Sequence, residues 1–399
     1  MNAARTILLT KVLIDGTGHA ALRNGAMLIE NGRIAAVGPR ARIERSARGA
    51  HIVDASELVA VAGLINLHAH LDMDGSPDFM TSALLMTEQT STLMGVRSAR
   101  EALHAGITTL RDLGTKFATA ISVRDAIKRG WTDGPRVVAA GRVVCMTGGH
   151  CWFIAHEADG PHEMRKAVRE NLKLGADCIK VIATGGVLSP GVEVGSSQLD
   201  VDEMEVAVRE AHKAGRRVAA HAIGAAGIVN ALHAGVDTLE HGCYLTDKAL
   251  ALLRSTKATY VPTLAAPHNL YAHLSELPDY AARKTRDVYE AHRESFRRAM
   301  KADVPIGAGA DSGTPFNFHS KFVTELECMV ALGMPAEQAL AAAGPTAAAA
   351  LALASEIGTL EAGKSADVVL VDEDPRKDIK SLRDVRAVVA CGKFYRIKQ

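Results

Sequence analysis

The stretch Val61-Ala-Gly-Leu-Ile-Asn-Leu-His68-Ala-His70 decides how the chain is read. Its run of apolar residues up to Leu67 has the pattern of a buried strand. A doubly wound sheet would carry a G-x-G-x-x-G fingerprint after its first strand, but here His-Ala-His follows Leu67. Histidines spaced i, i+2 on a strand point to the same side. The segment therefore reads as a strand that ends in two convergent imidazoles.

Seven further β-rich runs follow: Thr108–Leu113, Arg136–Val144, Cys178–Ala183, Arg217–Ala222, Thr238–Gly242, Thr259–Leu264 and Pro305–Ala310. Helical patterns lie between them, among them Val96–Ala105, Met164–Leu174, Val201–Ala214 and Ala281–Ala302. Eight strand–helix alternations predict an α/β chain with a (β/α)8 TIM barrel over residues 61–356. The ends differ. Residues 1–60 read as short strands at Ile7–Ile14, Ala26–Glu30, Arg33–Val37 and His51–Ala55, with a hairpin turn at Glu30-Asn31-Gly32. Residues 357–399 repeat that character at Ala366–Val371 and Ala387–Cys391, with Gly392 in a turn. Neither end holds enough strand for a stable sheet by itself, so a small β-sandwich built from both termini is expected. The Ala-rich stretch Ala339–Ala354 is broken by Gly344-Pro345-Thr346 into two helices.

Composition narrows the function classes. The 399 residues carry 46 Lys+Arg against 45 Asp+Glu, a net charge of +1, which leaves no basic footprint for nucleic acid. Val59–Leu67 is about half of a membrane span and contains Gly63 and Asn66. Met1–Lys11 has too short an apolar stretch for a secretory leader. Six cysteines, at 145, 151, 178, 243, 328 and 391, form no CxxC pair. Free thiols scattered through a chain of this size point to a reducing compartment. The expectation is a cytoplasmic homo-oligomer that acts on a small molecule and needs neither nucleic acid nor membrane.

Polar residues at the other strand ends supply the chemistry. Lys180 sits inside the apolar run Cys178-Ile-Lys-Val-Ile-Ala183, where a buried ammonium is costly without a partner. His221 ends the fifth strand, His241 the sixth, and Asp311 follows the eighth. Each alone reads as a structural residue. Six such groups on five strands, all towards the same end, mark the carboxyl-terminal mouth where barrel enzymes keep their chemistry.

With these residues in view the sequence resembles the amidohydrolase superfamily in its binuclear, carboxylated-lysine form. The likeness spans nearly the whole chain. Its anchors are Gly63-Leu-Ile-Asn-Leu-His-Ala-His70, Gly106-Ile-Thr-Thr-Leu-Arg-Asp112, Gly175-Ala-Asp-Cys-Ile-Lys180, His221, Glu240-His-Gly242, Asp311 and Gly358-Thr-Leu-Glu-Ala-Gly-Lys-Ser-Ala-Asp367. Lys180-Val-Ile-Ala-Thr-Gly-Gly-Val-Leu-Ser189 is similar to imidazolonepropionase-related dipeptidases, including Xaa-Pro and Xaa-basic peptidases and ochratoxin-type amidases.

That resemblance implies two divalent metal ions, with Zn²⁺ favoured by the His-rich donor set. His68, His70 and Asp311 would hold one ion, and His221 and His241 the other. Lys180, carboxylated by CO2 to a carbamate, would bridge them. A bridging hydroxide would attack the amide, with Asp311 taking its proton and passing it to the leaving amine. His150 and Tyr244 match family positions that contact the scissile carbonyl and the substrate. The implied substrate is a dipeptide or an N-acyl amino acid.

Alternatives remain open at this point: a cyclic amide, carbamate or urea-type substrate, mononuclear imidazolonepropionase-like chemistry, or a non-catalytic structural relative. Deaminases of the mononuclear kind carry Glu three residues after the strand-five His, where this chain has Gly224. Thr184–Ser197, with Gly185, Gly186, Gly191 and Gly195, reads as a loop over the site. Arg111-Asp112 reads as a pair supporting the ligands.

Overall fold

The computed structural model describes residues 5–396. The chain begins with β1 (Arg5–Ile14), β2 (Leu22–Glu30), β3 (Arg33–Pro39) and β4 (His51–Ala62). β2 and β3 turn at Asn31 and Gly32, whose φ angles are 52° and 77°. A two-residue hairpin with both central residues left-handed suits Asn-Gly. β4 pairs parallel to β1 through to Ile14 and Val61, so it extends well past the expected Ala55 and takes in Val61. Gly63 then lets the chain step into a second sheet, because a Cβ there would overlap the Thr108 side chain.

β5 (Leu64–Ala69), β6 (Ile107–Asp112) and β7 (Arg136–Ala139) form a three-stranded parallel sheet. β8 (Val144–Cys145), β9 (His156–Glu157), β10 (Cys178–Ile182), β11 (Arg217–Ala222), β12 (Thr238–His241) and β13 (Thr259–Val261) form a six-stranded parallel sheet in the order β13-β12-β11-β10-β8-β9. β10 and β12 are buried at every residue, as strands covered on both faces are. The intervening helices have legible ends. Thr246 caps Asp247–Thr256 by accepting from the Ala249 N–H. Gly175 and Gly235 close Gly160–Leu174 and Ala225–Ala234 in left-handed conformations. Their apolar residues, among them Val168, Ala207 and Ile228, pack on Ile179, Val181 and Leu239 in the main core.

Two strands depart from expectation. The run 136–144 divides between the two sheets, with Gly141 at φ 77° in the break. The run 305–310 makes no ladder, only single parallel bridges from Ile306 to Tyr260 and from Ser312 to Ala69. The segment threads close between β13 and β5: a Cβ at Gly307 would come 2.5 Å from Leu67 Cδ1, and one at Gly309 2.6 Å from Val261 Cγ1. Gly307 N donates to Tyr260 O and Leu67 N to Ala308 O, as strand neighbours do, but two amides turn elsewhere and interrupt the ladder: Ala308 N donates to Ala342 O, and Ala310 N to the Asn66 side chain at 3.1 Å.

β14 (Val368–Val371), β15 (Val385–Ala390) and β16 (Lys393–Arg396) return to the N-terminal strands. β14 pairs antiparallel with β4, giving one seven-stranded sheet, β16-β15-β14-β4-β1-β2-β3, made from both termini. It has its own core, which includes Leu8, Met27, Ile34, Leu370 and Val389. Arg136 at the start of β7 pairs with Asp367 at 2.9 Å and ties this sheet to the α/β body. The Ala-rich stretch forms two helices, Ala336–Ala342 and Pro345–Ala350, separated at Gly344. No helix among the described residues is long and apolar enough to cross a membrane.

Candidate metal centre

β5 carries His68 and leads into His70 just past its end, β10 carries Lys180, β11 His221 and β12 His241, and Asp311 follows the segment that threads beside β5. All but Asp311 are buried. Neighbouring imidazoles lie close: ring centroids are 5.5 Å apart for His68–His70, 5.1 Å for His68–His241 and 4.4 Å for His221–His241.

What each ring does with its Nδ1 fixes what its Nε2 can do. His68 Nδ1 donates to Glu240 Oε2 at 2.8 Å, and His70 Nδ1 to the Gly114 carbonyl at 2.8 Å. His241 Nδ1 lies 2.7 Å from Thr263 Oγ1, whose own proton goes to the Pro262 carbonyl at 2.6 Å. The threonine oxygen therefore accepts, and His241 carries its proton on Nδ1. In all three rings the lone pair lies on Nε2, the tautomer a metal ligand needs. His221 Nε2 is buried with no hydrogen-bond partner.

The free atoms face one another. Asp311 Oδ1 lies 3.4 Å from His68 Nε2 and 3.5 Å from His70 Nε2, and it too is a buried atom without a hydrogen bond. Lys180 Nζ, a donor, lies 3.4 Å from His68 Nε2. The Asp311 carboxylate oxygen and the Nε2 atoms of His68 and His70, by contrast, are acceptors turned towards acceptors, which repel in a buried site unless a cation lies between them. The donor set thus fits divalent ions. Among the described residues, His68, His241 and Asp311 offer ligand atoms all within 4.8 Å of one another.

Burial dominates the electrostatics. It holds His68, His221 and His241 well below the usual imidazole range and His70 at about 4, so these rings are neutral. It lowers the Lys180 amine. It raises Asp311 to about 7, against the opposing pull of Lys180. His241 and Asp311 also have left-handed backbones, φ 69° and 59°. Strain of about 1–3 kcal/mol per residue persists where surrounding structure enforces it, often at functional sites.

Of the supporting residues, the sequence reading singled out Arg111 and Asp112 but not Asn66, Thr263 or His292. Arg111 and Asp112 do not pair with each other: as successive strand residues they point to opposite faces. Arg111 donates to Glu240 Oε1 at 2.8 Å, Thr238 Oγ1 at 3.0 Å and the Leu67 carbonyl at 2.6 Å. Asp112 accepts from the Leu71 and Gly114 amides instead. Asn66 accepts from the His68 and Ala310 amides, which joins β5 to the Asp311 segment. Its place two residues before His68, on the same strand face, was the available signal. No sequence signal marks Thr263. His292, buried, also borders the site.

These groups floor a cleft of about 820 Å³, open solvent at its mouth included. Its walls are mostly apolar, with Met73, Phe79, Phe153, Leu188 and Ile223 among them. His150 lines it, 4.5 Å from the His221 ring by centroid. Tyr244 does not: its hydroxyl donates to the Asp287 carbonyl at 3.0 Å, outside the cleft lining.

Comparison with known proteins follows the same line. A profile described as the amidohydrolase family matches residues 59–394, and a bacterial imidazolonepropionase-like composite domain matches residues 25–50. Ochratoxinase of Aspergillus niger is 32% identical over 420 residues, covering 96% of this chain and 84% of its own. The crystal structure of A. niger ochratoxinase gives a TM-score of 0.89 at 31% identity, covering 99% of this chain and 96% of that one. A crystal structure of a Xaa-Pro dipeptidase with methionine bound in the active site gives 0.92 at 29% identity, covering 98% of this chain and all of that one.

Proposed function

The chain belongs to the amidohydrolase family and is a hydrolase acting on carbon–nitrogen bonds; from that premise we propose that it is a metal-dependent amidohydrolase cleaving a dipeptide (Xaa-Pro or Xaa-basic) or an ochratoxin-like N-acyl amino acid. One observation carries the metal dependence. Three imidazoles are each held with the lone pair on Nε2, and those of His68 and His70 face the unpartnered Asp311 Oδ1 at 3.4 and 3.5 Å.

His68, His70 and Asp311 would hold one ion, and His221 and His241 the second, with Lys180 as a CO2-derived carbamate between them. Two divalent ions, Zn²⁺ in the first instance, would supply Lewis acidity and a water of lowered pKa when bound. The chain's own residues do the rest. Asp311 accepts the water proton at its carboxylate and returns it to the leaving nitrogen as the C–N bond breaks. His150 borders the same cleft and orients the scissile carbonyl, and the apolar walls exclude water from it. Tyr244 is the second proposed substrate contact; its hydroxyl rests on the Asp287 carbonyl in this structure.

The proposed architecture is a (β/α)8 barrel over 61–356 with a terminal β-sandwich from 1–60 and 357–399. The hydrogen bonds of 305–312 to both Tyr260 and β5 support closure of the barrel. Six unpaired cysteines support a reducing, cytoplasmic setting.

A second reading has its own support. The tight His68, His241 and Asp311 group is a set that a single ion would take, as in mononuclear chemistry. Elemental analysis of metal-loaded protein separates the two, alongside turnover of a panel of dipeptides and N-acyl amino acids. About two ions per chain, falling in Lys180→Ala together with turnover, is the expected result. One ion with full activity, or wild-type occupancy and turnover in Lys180→Ala, would overturn the binuclear scheme.

A further inference from the structure

The loop Thr184–Ser197 follows β10 and supplies Val187 and Leu188 to the cleft wall. It has little secondary structure of its own: one bridge between Thr184 and Ser197, and a few turn bonds such as Gly185 N to Ser196 O. Such a loop should be mobile. Yet it holds His150, because Ser189 Oγ lies 2.8 Å from His150 Nδ1 and accepts from the Cys151 amide at 3.1 Å. The His150 ring also lies flat against Gly186, where a Cβ would overlap it.

What fixes the loop is the helix Asp279–Lys301. Residues 280, 283 and 284, at spacings that share a helix face, all reach it. Tyr280 donates to the Leu188 carbonyl at 3.3 Å, and Arg283 to Glu193 at 3.3 Å. Lys284, 2% exposed, sends its ammonium to the carbonyls of Ser189 at 2.8 Å, Gly186 at 3.4 Å and Val192. No carboxylate pairs with this ammonium in the described salt bridges. A methionine would fill the same volume at far lower desolvation cost. The charge serves the three loop carbonyls, which spread over seven residues and have one donor in common.

We propose that Lys284 is the positioning residue of the cleft, bracing Thr184–Ser197 so that Ser189 holds His150 in place beside His221. The kinetic part rests on the proposed hydrolysis; the structural part does not. Lys284 touches neither the ligand set nor His150, so it acts through the loop.

The test uses full-length Lys284→Met, Ser189→Ala and the double variant. Hydrogen exchange is read at 184–197 and 149–151, with metal content and kinetics alongside. Lys284→Met should speed exchange in both segments with metal content unchanged, and Ser189→Ala chiefly at 149–151. A small misplacement of a reacting group costs up to about a hundredfold. Each single variant should therefore lose roughly ten- to a hundredfold in kcat/KM, mostly in kcat, and the double variant no more than the worse single. Unchanged exchange at 184–197 in Lys284→Met overturns the proposal. So do faster exchange with wild-type kinetics, losses that multiply in the double variant, or wild-type kcat/KM in Ser189→Ala, which is decisive if Lys284→Met fails to fold. The exchange result needs no substrate, so it stands or falls apart from the hydrolysis.

Discussion

His241 and Thr263 meet at 2.7 Å, and the threonine passes its own proton on to the Pro262 carbonyl, so a side chain outside the ligand set chooses which nitrogen of His241 is free. Thr263→Val keeps the shape but removes the acceptor. The ring then has no reason to keep its proton on Nδ1. Losses of about 10–100-fold in metal affinity follow removal of such partners. Competition with a chelator, read by elemental analysis, should show that loss, and wild-type retention would rule it out.

Asp311 is both ligand and proton carrier in the proposed scheme. Asn can coordinate through its carbonyl oxygen but cannot accept and return a proton. Asp311→Asn should keep much of its metal and lose ~10²–10⁴-fold in amide turnover. The loss should be smaller on an activated ester, whose leaving group needs no proton. Equal losses on both substrates would remove leaving-group protonation from this residue.

Arg111 and Glu240 form a buried pair, 1% and 0% exposed at their side chains, beneath His68. Arg111→Met leaves Glu240 charged and buried with His68 and the Thr238 hydroxyl as its remaining partners in place of three. Breaking one side of such a pair costs about 3–5 kcal/mol. Chemical denaturation should report that loss, and a change below 1 kcal/mol, far under the handicap typical of a broken buried pair, would mean that His68 and Thr238 suffice.

Glu325 supplies the pH prediction. It is fully buried, accepts from the Ala265 amide at 2.7 Å, and burial raises its carboxyl to about 8 from the ordinary 4.5. Between those values the folded chain holds a proton that the unfolded chain has released. This group's contribution is therefore unpenalised below pH 4.5, declines as pH rises to 8, and is level above. Glu325→Gln should remove that slope. Melting of metal-free protein at pH 5 and pH 8 should show the variant gaining on wild type at the higher pH, and a constant difference would contradict the assignment.

How much of this was legible follows from where the information sits. His68, His70, Lys180, His221, His241 and Asp311 stood out because each interrupts or ends an apolar run, and polarity within a strand is visible in one dimension. Their arrangement was not. Glu240 on β12, Arg111 on β6 and Thr263 in the loop after β13 are far apart in sequence, and only the folded geometry joins Arg111 to Glu240 and Thr263 to His241. The eighth strand is interrupted as a ladder because the amides of Ala308 and Ala310 bond to the Ala342 carbonyl and the Asn66 side chain, acceptors brought there from distant segments. Tyr244 follows His241 by three residues, yet the left-handed turn at His241 and Gly242 carries its hydroxyl out to Asp287.

The sheet made from both termini sets a timetable for synthesis. β4 leads through Gly63 straight into the strand that bears His68 and His70, and the neighbour that completes one of its edges is β14. Some 306 residues separate Ala62 from Val368 (368 minus 62). At ~5–20 residues per second, the ribosome leaves that edge open for roughly 15–60 s. An unpaired apolar edge invites pairing with other chains. Nascent copies on one messenger therefore compete with the chain's own tail, and helper proteins that shield β4 during that minute would raise the yield of folded protein.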